Sequence, residues 1–317
     1  QWNGFYFCRS SLHEAGLCIQ LGHDGAKCIS PISGPPAFTV TDLSGVHCVA
    51  VDFCDCHQNG IVPHHIQLLQ AGWFPATFNR PQNAFTFRCL DFYHELTLQG
   101  KVNAYDFCHT VLCLTDSLEL EQTPVGFDFP NDDYAMLIAI HIWRHLLMLK
   151  RSGRRHCSKG ALSTSHGEVA IKCPACPHPG RNLPDNWNVT DPKQYLYTQF
   201  LAVDGNFKLR LKERGINDPE LAPGLAYFVE EEDYQAFIRN FIDQLEVCVC
   251  DASFIVDLIS AKINTCQSEH DALVQAAICS TPGYKVTGVI LVICPCHGLI
   301  CRNGVGDLQK GEWYSAL

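Results

Sequence analysis

Nineteen cysteines in a chain of 317 residues constrain this fold more than any other feature of the sequence. An odd number cannot all pair into disulfides. The opening Gln1-Trp2-Asn3-Gly4 has neither the basic nor the apolar region of a secretory leader. Thiol-rich chains without such a leader belong in reducing compartments, where clustered cysteines more often hold metal than form bridges. The clusters carry that argument. Scattered cysteines such as Cys89, Cys108, Cys113, Cys266 and Cys279 read as small buried hydrophobes.

Three clusters stand out. Cys28, His47, Cys48, Cys54, Cys56 and His57 gather around a Cys-x-Cys pair at the end of an apolar strand, which can present two thiolates to one tetrahedral zinc. Cys173-Pro174-Ala175-Cys176 is a Cys-x-x-Cys among prolines, read either as a metal knuckle or as two thiols in a rigid loop. A thioredoxin-like site is disfavoured there because no helix starts well in a proline run. Cys248 and Cys250 with Cys294-Pro295-Cys296-His297 form the third: Cys294 and His297 span one side of a site that Cys250 can reach, with Cys248, Cys296 or Cys301 open as the fourth ligand. A closed structural zinc suits a cysteine-rich insert, since metal binding substitutes for missing core.

Other chemistry is sparse. Asp204 lies on the polar face of an alternating segment beside Asn206, the place for a magnesium ligand. A two-metal site needs several such oxygens from different elements, so one Asp on a strand is a weak signal and a solvated surface carboxylate is the plainer reading. There is no nucleophile elbow, Walker loop or dinucleotide fingerprint. The net charge of −10 argues against a chain that wraps nucleic acid by itself, and the dense basic stretch at 150–156 is local. With 47% hydrophobic and 18% charged residues the chain is globular. No apolar run reaches the roughly 18–20 residues of a membrane-spanning helix.

The pattern predicts an α+β chain in three parts: a cysteine cluster over 1–62, a helical region over 63–172, and a third part over 173–317 that opens on five prolines between 173 and 192. Val46–Phe53 reads as a strand with Val49, Val51 and Phe53 on one face. The clearest helix runs from an Asn131 cap to Gly153, with Tyr134, Leu137, Ile138, Ile142, Leu146 and Leu149 at helical spacing. Residues 200–212 alternate as one long strand. Glu230–Asp233 lead a helix through Leu245, Ser253–Lys262 is a weaker helix, and Val286–Cys294 is a strand interrupted by Gly288.

Nine strings in order along the chain carry a resemblance. They include GLCIQLGHDGAKC (16–28), GVHCVAVDFCDC (45–56), HHIQLLQAGWFPAT (64–77), WRHLLMLKRSGRRH (143–156), GEVAIKCPACPHPGRNLP (167–184), LAVDGNFKLRLKERG (201–215) and NGVGDLQKGE (303–312). The chain resembles the amino-terminal half of the Kyakuja–Dileera–Zisupton (KDZ) transposases with their CxC-type cysteine cluster. The resemblance implies a zinc-bearing, partly helical region followed by the start of an RNase H-like DDE fold with a zinc-binding insert. Cys28, His47, Cys54 and Cys56 match its cysteine cluster, thought to bind DNA. Asp204 matches its first catalytic acid, and Cys250, Cys294 and His297 match its insert. It further implies structural Zn²⁺, Mg²⁺ or Mn²⁺ for DNA cleavage and strand transfer, transposon-end DNA as partner, a setting compatible with a homo-oligomer, and a nuclear location. Family members continue past DLQKGE with their remaining acids, so an inactive amino-terminal fragment is expected; the alternative is a domesticated zinc-binding interaction module without enzymatic activity.

Overall fold

A computed structural model describes residues 2–6, 8, 10–23, 26–56, 62–116, 129–185, 187, 194–206, 208–213, 215, 220–239 and 283–308. These form two compact units, Gln1–Leu147 and Met148–Leu317. Both mix helix and strand, so the chain is α+β.

The first unit is built on strands β1 (Cys18–Gln20), β2 (Pro31–Ser33), β3 (Phe38–Asp42), β4 (Gly45–Cys54), β5 (Trp73–Pro75) and β6 (Asn83–Thr86). Their order is β1-β4-β3-β6-β5, with β2 also on β4. The β1–β4 and β3–β6 pairs are parallel and the others antiparallel. Helix α1 (His64–Gln70) precedes β5, and α2 (Phe87–Gln99), α3 (Ala104–Thr115) and α4 (Phe129–Arg151) follow β6. The predicted strand is the ten-residue β4, and its two-residue alternation divides the core. Val49, Val51 and Phe53 pack with Phe38, Val40 and α1's Leu68. Val46 joins a second cluster with Phe107 and Val111 of α3 and Met136, Ile140 and Trp143 of α4. The helical region expected over 63–172 also contains the β5–β6 hairpin, with Pro75 ending β5 and Pro81 in the loop between the strands.

Helix α2 starts where Thr86 accepts from the Cys89 N–H at 3.1 Å, and α3 where Asn103 accepts from Asp106 N–H at 2.7 Å. Helix α4 is the predicted one, and Gly153 follows it in the left-handed conformation at φ 73°. Its buried face differs from the expected one: Met136, Ala139, Ile140 and Trp143 are buried, whereas Tyr134, Leu137, Ile138 and Leu146 are exposed. Apolar residues occur on both sides of this helix, so periodicity alone could not choose. Polar anchors choose instead: Trp143 donates to Asp91 at 2.9 Å and Arg144 to Thr97 at 2.6 Å, both across to α2. Of the scattered cysteines, Cys89 and Cys108 are buried as expected, and burial pushes the Cys89 thiol up to about 12.

The second unit opens on an irregular stretch with short 3₁₀ turns at Arg154–His156, Ala161–Ser163 and Gln194–Tyr197. Strands β7 (Ala202–Asn206), β8 (Leu211–Lys212), β9 (Tyr284–Val286), β10 (Gly288–Cys294) and β11 (Leu299–Leu308), with helix α5 (Glu231–Arg239), follow. An antiparallel sheet runs β11-β10-β7, and β8 pairs with β9. The single strand expected over 200–212 is therefore two. The Asn206 side chain accepts from the Lys208 N–H at 3.0 Å and turns the chain out of the sheet. The strand expected over Val286–Cys294 with a break at Gly288 is also two: it breaks at Thr287, Gly288 opens β10, and β9 and β10 belong to different sheets. The acidic start of α5 is in place with Glu231, Glu232 and Asp233. The helix expected at Ser253–Lys262 lies outside the described residues.

Candidate metal centres

The first centre forms where β4 ends. Cys54 is its last residue and Cys56 lies two beyond, so both thiols lie at one end of the sheet. The loop after β1 brings a third group over them: His23 Nε2 lies 3.1 Å from both Cys54 Sγ and Cys56 Sγ, and the two sulfurs are 3.0 Å apart. With Cys28, all four ligand atoms fall within 4.8 Å of one another. Tetrahedral zinc with bonds of about 2.3 Å has ligand–ligand edges of about 3.8 Å, so the set has the size and softness zinc needs.

Two residues hold this loop. Gly22 has φ +89°, and a Cβ there would lie 2.6 Å from the Cβ of Cys54. Buried Gln67 of α1 accepts from the Cys54 N–H at 2.8 Å and donates to the carbonyls of Cys54 (2.9 Å) and Val62 (2.8 Å). The Cys28 N–H in turn donates to the Gln20 side chain at 2.7 Å.

His47 is not in this set. It lies on β4 seven residues before Cys54, about 23 Å along an extended strand and on the opposite face; its ring instead meets Ser44 Oγ at 2.9 Å. His23 takes the corner that sequence reasoning gave to His47. The signal for it was present in LGHDGAKC, a histidine between glycines five residues before Cys28. Cys48 also lies apart, its thiol raised by burial and then by Glu14. His57 is outside the described residues.

The second centre joins two motifs more than a hundred residues apart. Cys173 and Cys176 are buried in the proline knuckle. Cys294 ends β10, and His297 lies in the turn to β11, where Gly298 at φ +64° closes a bond to the Cys294 carbonyl at 2.8 Å. Cys173 Sγ is 3.4 Å from His297 Nδ1, Cys176 donates to Cys294 Sγ at 3.3 Å, and Cys294 Sγ is 3.7 Å from His297 Nδ1. The His297 ring, then the Cys176 hydrogen bond, pull the Cys294 thiol down to about 6, while burial pushes Cys176 up to about 12. A cation here would take the place of the proton that Cys176 donates to Cys294. Asn182 braces the knuckle, donating to the Cys176 carbonyl at 2.7 Å, and the His178 ring donates to that of Cys173 at 2.8 Å. Cys301 lies close by, its thiol raised by burial and by the nearness of Cys294 and Cys173, and Cys296 is exposed. Cys248 and Cys250 lie outside the described residues.

Two family comparisons match this chain. Residues 12–119 match the CxC2 like cysteine cluster associated with KDZ transposases, and residues 197–317 match the Kyakuja-Dileera-Zisupton transposase. The chain belongs to the KDZ transposase family. No curated protein and no solved structure matches it. All four residues of the first centre fall inside the CxC2 match. The second centre takes Cys294 and His297 from the KDZ match and Cys173 and Cys176 from the chain before it.

Asp204, expected from the resemblance to be a catalytic acid, is exposed on β7, and its carboxylate accepts from the Gly205 N–H at 2.9 Å. Strand register puts it on one sheet face with Asn206, Val289, Leu291 and Asp307. Asp307 is two strands away, beyond coordinating reach. Burial first, and then Glu231, raise its carboxyl. Among the described residues, no group of three metal-binding side chains includes Asp204. No described helix is long and apolar enough to cross a membrane.

Proposed function

We propose that this KDZ-family protein is a DNA-binding protein carrying two structural zinc ions, one held by His23, Cys28, Cys54 and Cys56 and the other by Cys173, Cys176, Cys294 and His297. The observation that carries the reading is the convergence of two soft ligand sets: the four half-buried ligand atoms of the first lie within 4.8 Å of one another, as do those of buried Cys173 and Cys294 and exposed His297 in the second, which buried Cys176 joins at 3.3 Å from Cys294, and each set is braced by side-chain bonds to its backbone. Zinc at the second set would fasten the proline knuckle to the β10–β11 turn, replacing core that this irregular stretch lacks.

The parent activity of the family is metal-dependent cleavage and strand transfer of DNA in the nucleus. An antiparallel β11-β10-β7 sheet with the acidic strand at its edge supports reading residues 197–317 as the opening of an RNase H-like fold. Asp204 by itself does not fit a magnesium or manganese pair, which needs several converging oxygens, and we derive no cleavage step through one. We accordingly expect this chain to bind DNA without cutting it. The second reading, a zinc-bearing interaction module without enzymatic activity, draws on the same isolation of Asp204 among the described residues and on the net charge of −10.

Native mass spectrometry of the purified protein tests the zinc assignment. Two zinc ions are expected, one lost in Cys54→Ser, the other in Cys294→Ser, and neither in Cys250→Ser. Loss on Cys250→Ser with retention on Cys176→Ser would overturn the second ligand set. Robust Mg²⁺-dependent nicking of labelled DNA that Asp204→Ala abolishes would overturn the inactivity.

A further inference from the structure

Charge is distributed very unevenly along the chain. Between 150 and 181 there are seven lysines and arginines and one acid, Glu168, a net of +6, so the remainder carries −16 of the overall −10. Backbone phosphates supply most of the affinity for DNA. An acidic surface repels them, which leaves this stretch as the longest segment with the right sign; the shorter run 205–215, with Lys208, Arg210, Lys212 and Arg214 against Glu213, carries a net of +3.

Its local structure makes it more than the solvated end of a helix. Lys150 and Arg151 stand at the C-terminus of α4, where cations complement the helix dipole, and that alone would account for them. It does not account for Lys159, Lys172 and Arg181, which lie beyond the helix and, like Lys150, are exposed. The stretch is cross-tied. Arg154 meets Glu168 at 2.6 Å, which neutralises the single acid and fixes the 3₁₀ turn at 154–156 to the turn at 165–168. The Arg154 Nε–H is buried without a partner among the described residues. Lys172 abuts Cys173, and Arg181 sits in the His178–Asn182 turn, whose Asn182 bonds back onto the knuckle at 2.7 Å. The second metal centre therefore holds two of the cations, and the Arg154–Glu168 pair ties the earlier turns to the same run of chain.

We infer that residues 150–181, organised on the Cys173–Cys176 knuckle, form the phosphate-contacting surface of this protein, and that the cysteine cluster at Cys54 and Cys56 does not. The inference rests on the DNA-binding reading above and locates its contact. Lys150, Lys159, Lys172 and Arg181 engage the backbone of duplex DNA without reading sequence, since lysine contacts phosphate as a point charge.

Fluorescence anisotropy of the full chain with a duplex of arbitrary sequence, from 50 to 300 mM KCl, tests it. Each phosphate contact contributes about 0.9 to the slope of log K against log salt. The quadruple variant Lys150→Gln, Lys159→Gln, Lys172→Gln, Arg181→Gln should lose about 3 to 4 from the wild-type slope while keeping its zinc content. Arg80→Gln with Arg88→Gln, exposed in the first unit, should leave the slope unchanged. A quadruple variant with the wild-type slope, or an Arg80/Arg88 variant that loses it, overturns the location and leaves DNA binding standing. Wild-type protein that binds no duplex at 50 mM overturns the DNA reading itself.

Discussion

Replacing Gly22 by alanine should empty the first metal centre and leave the second filled. At φ +89° an L-residue pays roughly 1–2 kcal/mol for the left-handed backbone. The larger effect is steric. The new Cβ would lie 2.6 Å from the Cβ of Cys54 and 3.2 Å from Gln67 Oε1, whereas carbon atoms rest at about 3.5–4.0 Å. The loop must therefore retreat by roughly 1 Å, and His23, the next residue, goes with it. Metal–ligand bonds tolerate about 0.2 Å. Gly72 separates the two costs, because it has φ +79° with open space around its would-be Cβ. Gly72→Ala should cost about 1–2 kcal/mol in urea unfolding and keep both zinc ions. Gly22→Ala should carry one zinc by native mass spectrometry and yield the other to far lower chelator concentrations than the wild type requires. Two zinc ions of wild-type chelator resistance in Gly22→Ala would refute the close-approach argument.

Gln67→Leu should destabilise the first unit by about 2–4 kcal/mol, because it strands a buried N–H and carbonyl of Cys54; it should weaken zinc at that centre without emptying it, read by chelator competition. Thr86→Val removes both the α2 cap and the 2.7 Å bond to Asp42, for a loss of about 2 kcal/mol in urea unfolding at pH 7. Burial raises the Asp42 carboxyl, but bonds from Thr86 and Ser44 outweigh it and hold it below 3.8; the stability it contributes is present above that value and lost as pH falls through the lower, folded one, so the Thr86→Val deficit should shrink in acid. Asp307 is the opposite case. Its folded carboxyl is raised above 3.8 by burial and Glu231, so the wild type loses stability as pH climbs from 3.8 to the raised value. Asp307→Asn should match it at the acid end and exceed it at pH 8, and a variant less stable than wild type at pH 8 would contradict that.

Local pattern made much of the fold legible. Alternation in Val46–Phe53 marked β4 because Val49, Val51 and Phe53 are buried while the residues between them are only half-buried, which reveals the two-residue period, and Gly153 marked the end of α4 because few other residues enter the left-handed region easily. The lining of α4 was not legible: apolar residues on both sides made the wrong face look core. Nor was the break after Asn206, where one side-chain bond to Lys208 interrupts the strand-like alternation of residues 200–212. At the sites, the thiols of Cys28, Cys54, Cys56, Cys173, Cys176 and Cys294 stood out by clustering. Histidine is common on surfaces, so choosing between His23 and His47 required knowing that a strand carries His47 away from its own end.

Residue chemistry alone determined that this protein would gather soft ligands, that its basic charge would concentrate after α4, and to which family it belongs. Tertiary structure decided the pairing, uniting Cys173 and Cys176 with Cys294 and His297 across more than a hundred residues of chain. The reason is that ligand spacing within a motif is set by local backbone geometry and survives in the sequence. The meeting of two motifs depends on where an antiparallel sheet ends and which turn it closes, and that is fixed only when the chain packs.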